Sequence, residues 1–240
     1  MTDQQMQPYT GAGLSVVVPF YDEGPLVSRV LAELRACLPD SEIIAVDDGS
    51  TDETWAMIGA APRVRGLRFA ANLGQSAAIY YGLRAATQPL VGLMDGDGQN
   101  DPADLARLIR VLRESGADVV CGFRAQRHDT WQRRVASRIG NGIRRAFLHD
   151  EVRDTGCSQK VFRRELIEYL VPFRGMHRYL PAIFRHAGLR VAEVAVNHRV
   201  RLGGVSKYGN WRRALDGLFD LIGVSWLLDR KLLPPSMETK

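Results

Sequence analysis

Apolar and polar positions along the first half of the chain fall into blocks of two periods. Leu14-Ser15-Val16-Val17-Val18-Pro19 is a short β-branched run ending at a proline, the pattern of a buried strand. Over residues 24–37 the apolar positions Leu26, Val30, Leu31 and Leu34 recur at helical spacing. Residues 42–46 predict a second strand, halted by Asp47-Asp48-Gly49-Ser50. Ser50 or Thr51 can cap the helix that follows, and Asp52 and Glu53 favour its positive end. A third strand (65–69), a third helix (76–86) and a fourth strand (90–94) come next. Residues 102–115 predict a helix with Leu105, Leu108, Ile109 and Leu112 inward, and 118–122 a fifth strand. Strands alternating with helices in this way imply right-handed βαβ units and a largely parallel sheet, an α/β fold. Ligands of such sheets sit beyond the carboxyl ends of the strands. The acidic and glycine-rich clusters fall there.

After Gly122 the pattern changes. Arg124, Arg127, Arg133, Arg134, Arg138, Arg144 and Arg145 crowd one segment, helical from about residue 130. Asp154-Thr155-Gly156-Cys157-Ser158-Gln159 reads as a loop leading into a strand at Lys160-Val161-Phe162. Helices are expected near 165–170 and 179–187, and 191–198 alternates like a strand. Residues 201–209 form a basic, glycine-bearing loop. In 211–228, Leu215, Leu218, Phe219, Ile222 and Trp226 recur at helical spacing. Arg212, Arg213, Asp216, Asp220 and Asp229 rule out an ordinary bilayer span there. Such a helix can lie on a membrane, pack on a partner or cover the chain's own core. The organisation expected is a flexible start (1–13), one α/β domain (14–210) and an amphipathic C-terminal helix with its tail (211–240).

Charge narrows the partners. The 240 residues carry a net charge of +5, so an anionic partner fits: nucleic acid, a phosphorylated small molecule or an anionic membrane. No aromatic-rich or zinc module supports nucleic acid. Cys37, Cys121 and Cys157 are an odd set without CxxC spacing and read as free thiols in a reducing compartment. The polar first ten residues lack the apolar run of a signal peptide, and no segment is long and apolar enough to span a bilayer. A cytoplasmic protein is expected.

The chemistry centres on Leu93-Met94-Asp95-Gly96-Asp97-Gly98-Gln99. A strand end would point Asp95 and Asp97 into one cleft mouth, and Gly96 and Gly98 would let a large anion approach the backbone. Two carboxylates and an amide oxygen suit Mg²⁺ or Mn²⁺ completed by water and a diphosphate. Alone, an Asp-Gly pair is as readily a turn.

Val18-Pro19-Phe20-Tyr21-Asp22-Glu23, Val46-Asp47-Asp48-Gly49-Ser50-Thr51-Asp52, Asn72-Leu73-Gly74-Gln75 and Asp95-Gly96-Asp97-Gly98-Gln99 change that reading. Their order and spacing resemble the inverting family 2 glycosyltransferases of GT-A fold. Asp154-Thr155-Gly156 and Gly204-Val205-Ser206-Lys207 resemble the dolichol-phosphate mannose synthase and polyprenyl-phosphate glycosyltransferase branch. The resemblance covers residues 14–210. It implies a nucleotide pocket lined by Pro19, Tyr21, Glu23, Ala45 and Asp47, with Asp48 as a cap or turn former. Asp97 and Gln99 would bind the metal and the diphosphate, Asp95 the ribose or the metal, and Gly96 would face the substrate. Arg124, Arg133 and Ser137 match positions that contact the diphosphate, where an arginine fork suits phosphate. Arg201 and Lys207 match a mobile loop that closes over donor and acceptor phosphates, hinged at Gly203, Gly204 and Gly209. Asp154 would orient the acceptor or pair with an arginine. Arg107, Arg110, Arg113, Arg144 and Arg145 read as solvated charges. Gly175-Met176-His177-Arg178-Tyr179-Leu180 could approach the acceptor, with His177 the residue to test, although a lone histidine at a helix entrance is more often structural.

The resemblance also implies an acceptor. Family members that glycosylate alcohols often use a Glu-Asp pair as base, and this chain has no Glu-Asp dipeptide and no Gln-x-x-Arg-Trp signature of processive synthases. A phosphate monoester is already an anion and needs no base. The expected reaction is transfer of one sugar, mannose or glucose, from a nucleoside diphosphate sugar to a polyprenyl or dolichyl phosphate. A hydroxyl acceptor on a cell-envelope glycan, or a silent nucleotide-sugar-binding partner of a membrane complex, are the alternatives. Many relatives carry C-terminal transmembrane helices. Attachment here would be peripheral, on the cytoplasmic face, to a membrane surface or a membrane-embedded protein. A homo-oligomer is compatible with this reading.

Overall fold

The computed structural model describes residues 9–124, 142, 144, 145, 147, 148, 150, 152–199 and 210–231, with side chains in the last segment described from 219 onward. Its elements are β1 (Leu14–Phe20), α1 (Gly24–Cys37), β2 (Glu42–Asp47), α2 (Thr54–Ala60), β3 (Val64–Arg68), α3 (Gln75–Ala85) and β4 (Leu90–Leu93). There follow α4 (Pro102–Glu114), β5 (Val119–Arg124), β6 (Lys160–Arg163), α5 (Met176–His186), β7 (Val191–Val196) and α6 (Asn210–Arg230). Helix bounds agree with the apolar periodicity to within a few residues. The exception is 164–169, a 3-10 helix, Arg164–Tyr169. A segment this short gains little from α-helical nucleation, and Pro172 forces the chain before it into extended form.

The strands make one seven-stranded sheet in the order β3-β2-β1-β4-β6-β5-β7. β1 pairs in parallel with β2 and β4, β2 with β3, and β5 with β7. β6 is antiparallel to both neighbours, β4 and β5. It slots between strands that are consecutive in the sequence. The expected α/β fold with a mostly parallel sheet therefore forms, with one reversed strand at its centre.

Both faces of the sheet are covered, which explains why β1 is apolar throughout and does not alternate. Val17, Ile44, Val91 and Phe162 meet Ile79 and Leu83 of α3, Leu180 and Phe184 of α5, and Leu221, Val224 and Leu228 of α6. Val16, Val18, Ile43 and Val161 meet Val27 and Leu31 of α1, Ile58 of α2, and Leu105 and Leu108 of α4. The helix α6 thus covers core with one face. Phe219, Ile222 and Trp226 lie on its outer face, 74%, 51% and 62% exposed. No helix among the described residues is long and apolar enough to cross a membrane. All three cysteines are free, Cys121 and Cys157 buried. Arg144 departs from the solvated charge expected of it: it is buried, 3.1 Å from the Asp150 carboxylate, and donates to the Val152 carbonyl. A buried guanidinium needs such partners to offset lost hydration.

Gly82 sets how closely α3 approaches the sheet. A Cβ there would lie 2.4 Å from Val17 Cγ1 and 3.0 Å from Val46 Cγ2. Gly82→Ala is expected to destabilise the fold by about 1–3 kcal/mol, since overpacking moves backbone or rotamers. A lower midpoint in urea unfolding checks this.

Candidate functional site

The carboxyl ends of β1, β2 and β4 face one cleft, and the acidic motifs meet there. Most of the acids in the first two motifs bind backbone. Asp22 Oδ1 accepts from Thr51 N (2.9 Å), Asp47 Oδ1 from Ser50 N (2.9 Å) and Asp52 Oδ2 from Gly24 N (3.0 Å). Asp48 accepts from Leu73 N (2.8 Å) and Gly74 N (2.9 Å) and so ties the end of β2 to the start of α3. It caps no helix: its partners are the amides of the loop that enters α3, whose N-cap, Gly74, receives no side-chain cap. Burial pushes its carboxyl up, although those two amides pull the other way. Asp47 is fully buried, with Oδ2 3.1 Å from Arg68 Nε. Ala45 is also fully buried within the core, so it supports the cleft from behind. Pro19 and Glu23 are half-buried, and Tyr21 is exposed.

The motif after β4 is built differently. Met94 N continues the ladder to Val17 O, and Asp95 N donates to Asn100 Oδ1 (2.8 Å). Asp97 Oδ1 accepts from Gln99 N (3.0 Å), closing a turn in which Gly98 takes φ +74°. Gly96 is required by packing: a Cβ would lie 2.4 Å from the Phe20 ring and 2.7 Å from the Pro19 carbonyl. Gln75, first residue of α3, donates from Nε2 to Asp95 Oδ1 (2.7 Å). Gln99 reaches across to the Arg199 carbonyl (3.3 Å) and to His198. Burial first, then repulsion from Asp97, holds the Asp95 carboxyl at about 6; Ser158, Lys160 and Arg124 partly offset this. Among the described residues no three His, Cys, Asp or Glu side chains converge as a metal cage. The donor set fits a Mg²⁺ or Mn²⁺ ion held by Asp95, Asp97 and the Gln99 oxygen, the remaining positions going to water and a diphosphate.

Two cavities share Gln75, His177 and Arg178, and Asp95 lines the smaller of them. The smaller, about 270 Å³, is lined by Gln75, Asp95, Arg124, Ser158, Lys160 and Arg178 among others. The larger, about 670 Å³, runs from Leu73 and Gly74 past Arg174 and His177 to Phe219 and Asp220 of α6. Arg124 is held in a fork by Asp154, through Nε to Oδ2 (2.7 Å) and Nη2 to Oδ1 (2.9 Å). The arginine partner foreseen for Asp154 is therefore Arg124. His177 Nδ1 lies 2.8 Å from Ser76 Oγ, and burial pushes its pKa down to about 3, so the ring is neutral. Arg133, Ser137, Arg201 and Lys207 lie outside the described residues. Sequence reasoning passed over Lys160, Ser158 and the position of Gln75, and placed Arg178 only within a segment that could approach the acceptor. Lys160 carried one legible signal, a lysine opening an apolar strand.

A mostly parallel sheet ending in an acidic turn above a cation-lined cavity defines a GT-A type transferase fold. Residues 15–171 match the family model described as glycosyl transferase family 2, and the chain belongs to that family. It is 35% identical over 243 residues to the dodecaprenyl-phosphate galacturonate synthase of Rhizobium johnstonii, a match covering 95% of this chain and 70% of that protein. It is 34% identical over 218 residues to the undecaprenyl-phosphate 4-deoxy-4-formamido-L-arabinose transferase of Serratia proteamaculans, covering 87% and 66%. The chain thus spans about two-thirds of the length of these curated relatives. Among solved structures, glucosyl-3-phosphoglycerate synthase from Mycobacterium tuberculosis in complex with Mg²⁺ and uridine diphosphate superposes with a TM-score of 0.68 at 22% identity. That match covers 89% of this chain and 80% of that one, a likeness of fold.

The raised Asp95 pKa has two consequences with opposite signs. Between the ordinary carboxylate value and about 6 the folded chain binds more protons than the unfolded one, so this group's contribution to stability falls as pH rises through that window. Keeping Asp95 charged at neutral pH costs on the order of 3 kcal/mol. Asp95→Asn is expected to raise the melting temperature at pH 7.5 and to abolish cation binding. Conversely, acid competes with the cation: Mn²⁺ affinity of the native chain should fall up to tenfold per pH unit below about 6. Scanning calorimetry at pH 7.5 reads the first effect, and calorimetric titration with Mn²⁺ at pH 5.0, 6.0 and 7.5 reads the second.

Proposed function

We propose that the chain transfers one sugar, with inversion, from a uridine diphosphate sugar to a polyprenyl phosphate, supported by Mg²⁺ or Mn²⁺. The family assignment and the two named relatives support the lipid phosphate acceptor. The uridine nucleotide and the metal rest on the complexes of the structural neighbour and on the donor set at Asp95, Asp97 and Gln99. The observation that carries the acceptor class is that, among the described residues, the smaller cavity presents no spare base. The one carboxylate among those described residues, Asp95, is assigned to the cation, Asp154 beside it grips Arg124, and the pKa of His177 near 3 makes a poor proton acceptor. An alcohol would need a base, whereas a phosphate monoester attacks as the anion it already is.

In the reaction the bond from the anomeric carbon to the diphosphate oxygen breaks, and its electron pair leaves with the diphosphate. An acceptor phosphate oxygen forms the new bond on the opposite face of the ring. A divalent cation, when bound, supplies positive charge to the departing diphosphate. Asp97 and Asp95 fix the place of that charge, and Gln75 and Asn100 fix Asp95. Arg124, locked by Asp154, offers a preorganised donor from the far wall. Arg133, Ser137, Arg201 and Lys207 would add the diphosphate contacts and the closing loop that the family resemblance assigns to them. Pro19, Tyr21, Glu23 and Asp47 would hold the nucleoside end.

Asp97→Ala is expected to lower kcat/KM by about a hundredfold or more, as loss of a main electrostatic element does. The assay is transfer from a labelled UDP-sugar panel to polyprenyl phosphate, followed by organic extraction. Full activity in the variant would remove the metal assignment, and label that stays aqueous with every donor would remove the lipid acceptor.

The larger cavity ends at Phe219, and the outer face of α6 continues from it through Ile222 to Trp226. Placing that face on the bilayer would put the cavity mouth where a lipid phosphate resides, a peripheral attachment. Ile222→Ser with Trp226→Ser should weaken binding to anionic vesicles, read by co-sedimentation, by about a hundredfold or more, each lost side chain removing about 1.5–3 kcal/mol of burial. Unchanged sedimentation would assign the face to another partner.

A further inference from the structure

The smaller cavity contains a charge that the reaction described so far does not use. Lys160 opens β6 at the middle of the sheet, paired with Leu93 on one side and Cys121 on the other. It is 2% exposed, among the largest fully buried side chains of the protein. An ammonium has three donors. One of them reaches a protein acceptor, the Cys157 carbonyl. Among the described residues Lys160 makes no ion pair, although burying a cation without an anion is costly. Its charge attracts Asp95, a carboxylate that would also hold the divalent cation and so would be shared between two positive charges.

The other walls reinforce the charge. Arg178, in the first turn of α5, lines the same cavity and makes no ion pair among the described residues. Arg124 is already gripped by Asp154. Among the described residues Asp95 is the single carboxylate in the lining. At about 270 Å³ the space lies just below the 300–1,000 Å³ of pockets for drug-sized ligands, a size for one sugar ring rather than a nucleoside. Asp97, where the diphosphate belongs, is not part of this lining. A neutral sugar presents hydroxyl protons that want acceptors. Here the wall presents two unpaired cations. A carboxylate has two oxygens and can bridge an ammonium and a guanidinium in charge-assisted hydrogen bonds.

We propose that Lys160 and Arg178 bind a carboxylate on the donor sugar, so that the donor is a nucleoside diphosphate hexuronic acid. This rests on the nucleotide-sugar reading above and replaces the mannose or glucose expected from sequence.

The test compares UDP-galacturonic and UDP-glucuronic acid with UDP-galactose and UDP-glucose. Binding is measured by calorimetry in the presence of Mn²⁺, and transfer by extraction of labelled polyprenyl product. The native chain should favour a uronic acid over its matching hexose by about tenfold or more, the worth of one charge-assisted hydrogen bond. Lys160→Met, close in shape but uncharged, should lower that ratio about tenfold; Arg178→Gln should lower it less. Circular dichroism and thermal unfolding check that each variant is folded. Equal or better use of the neutral hexoses by the native chain would overturn the uronate and leave the lipid transfer standing. A Lys160→Met chain weakened equally toward uronate, hexose and UDP would assign Lys160 to the diphosphate, and the proposal would fall. Preferential uronate binding with no lipid product would uphold the proposal and overturn the acceptor. The native chain binding none of the four donors would overturn both readings.

Discussion

Two carboxylates held close together at the centre of the sheet are the constraint around which the site is arranged. Asp95 and Asp97 follow a four-residue strand flanked by β1 and β6, and burial, then the charge of Asp97, opposes ionisation of Asp95. Several parts of the chain converge to hold them in this state: Gln75 from α3, Asn100 after the turn, and Ser158 and Lys160 from the approach to β6. A site that pays this electrostatic penalty before any ligand arrives is set to favour a cation and, through it, a diphosphate. The tight fit of Gly96 against Phe20 keeps the two acids in place while leaving no room to relax.

The rest of the cleft divides by charge. On the side of β1 and β2, Asp22, Asp47, Asp48 and Asp52 accept from backbone amides and knit loops that enter α1, α2 and α3. Their charges stabilise the loops, and Asp48 links β2 to the helix that carries Gln75. On the opposite side the lining is cationic, with Arg124 braced by Asp154 and Lys160 and Arg178 unpaired among the described residues. The acidic turn lies between them. Placing positive charge on the far wall and negative charge at the turn suits a ligand whose anionic groups are spread along its length.

Much of this was legible before any coordinates. Strand and helix periods located most elements, because burial on both faces of a parallel sheet leaves long apolar runs and burial of one helix face leaves a stripe. The acidic clusters were legible as strand-end features, and their joint spacing identified the family. Three things were hidden. β6 reads as an ordinary short strand, and nothing local says that it reverses and inserts between β4 and β5. Arg144 looks solvated beside the neighbouring arginines, yet Asp150 and the Val152 carbonyl draw it inside. The exposed face of α6 was visible as one amphipathic stripe, whereas the structure buries Leu221, Val224 and Leu228 and turns Phe219, Ile222 and Trp226 outward.

The sequence alone therefore determined the α/β class, the order of the motifs and the acidic turn, since these depend on periodicity and on residues near one another in the chain. The tertiary structure decided which acids serve the backbone and which face a ligand, because that depends on what the loops meet across the cleft. It also decided the role of Lys160. A lysine at the start of a strand is unremarkable until the antiparallel insertion of β6 carries it to the centre of the sheet, beside Asp95 and away from water. Long-range strand pairing created that environment, and no local pattern encodes it.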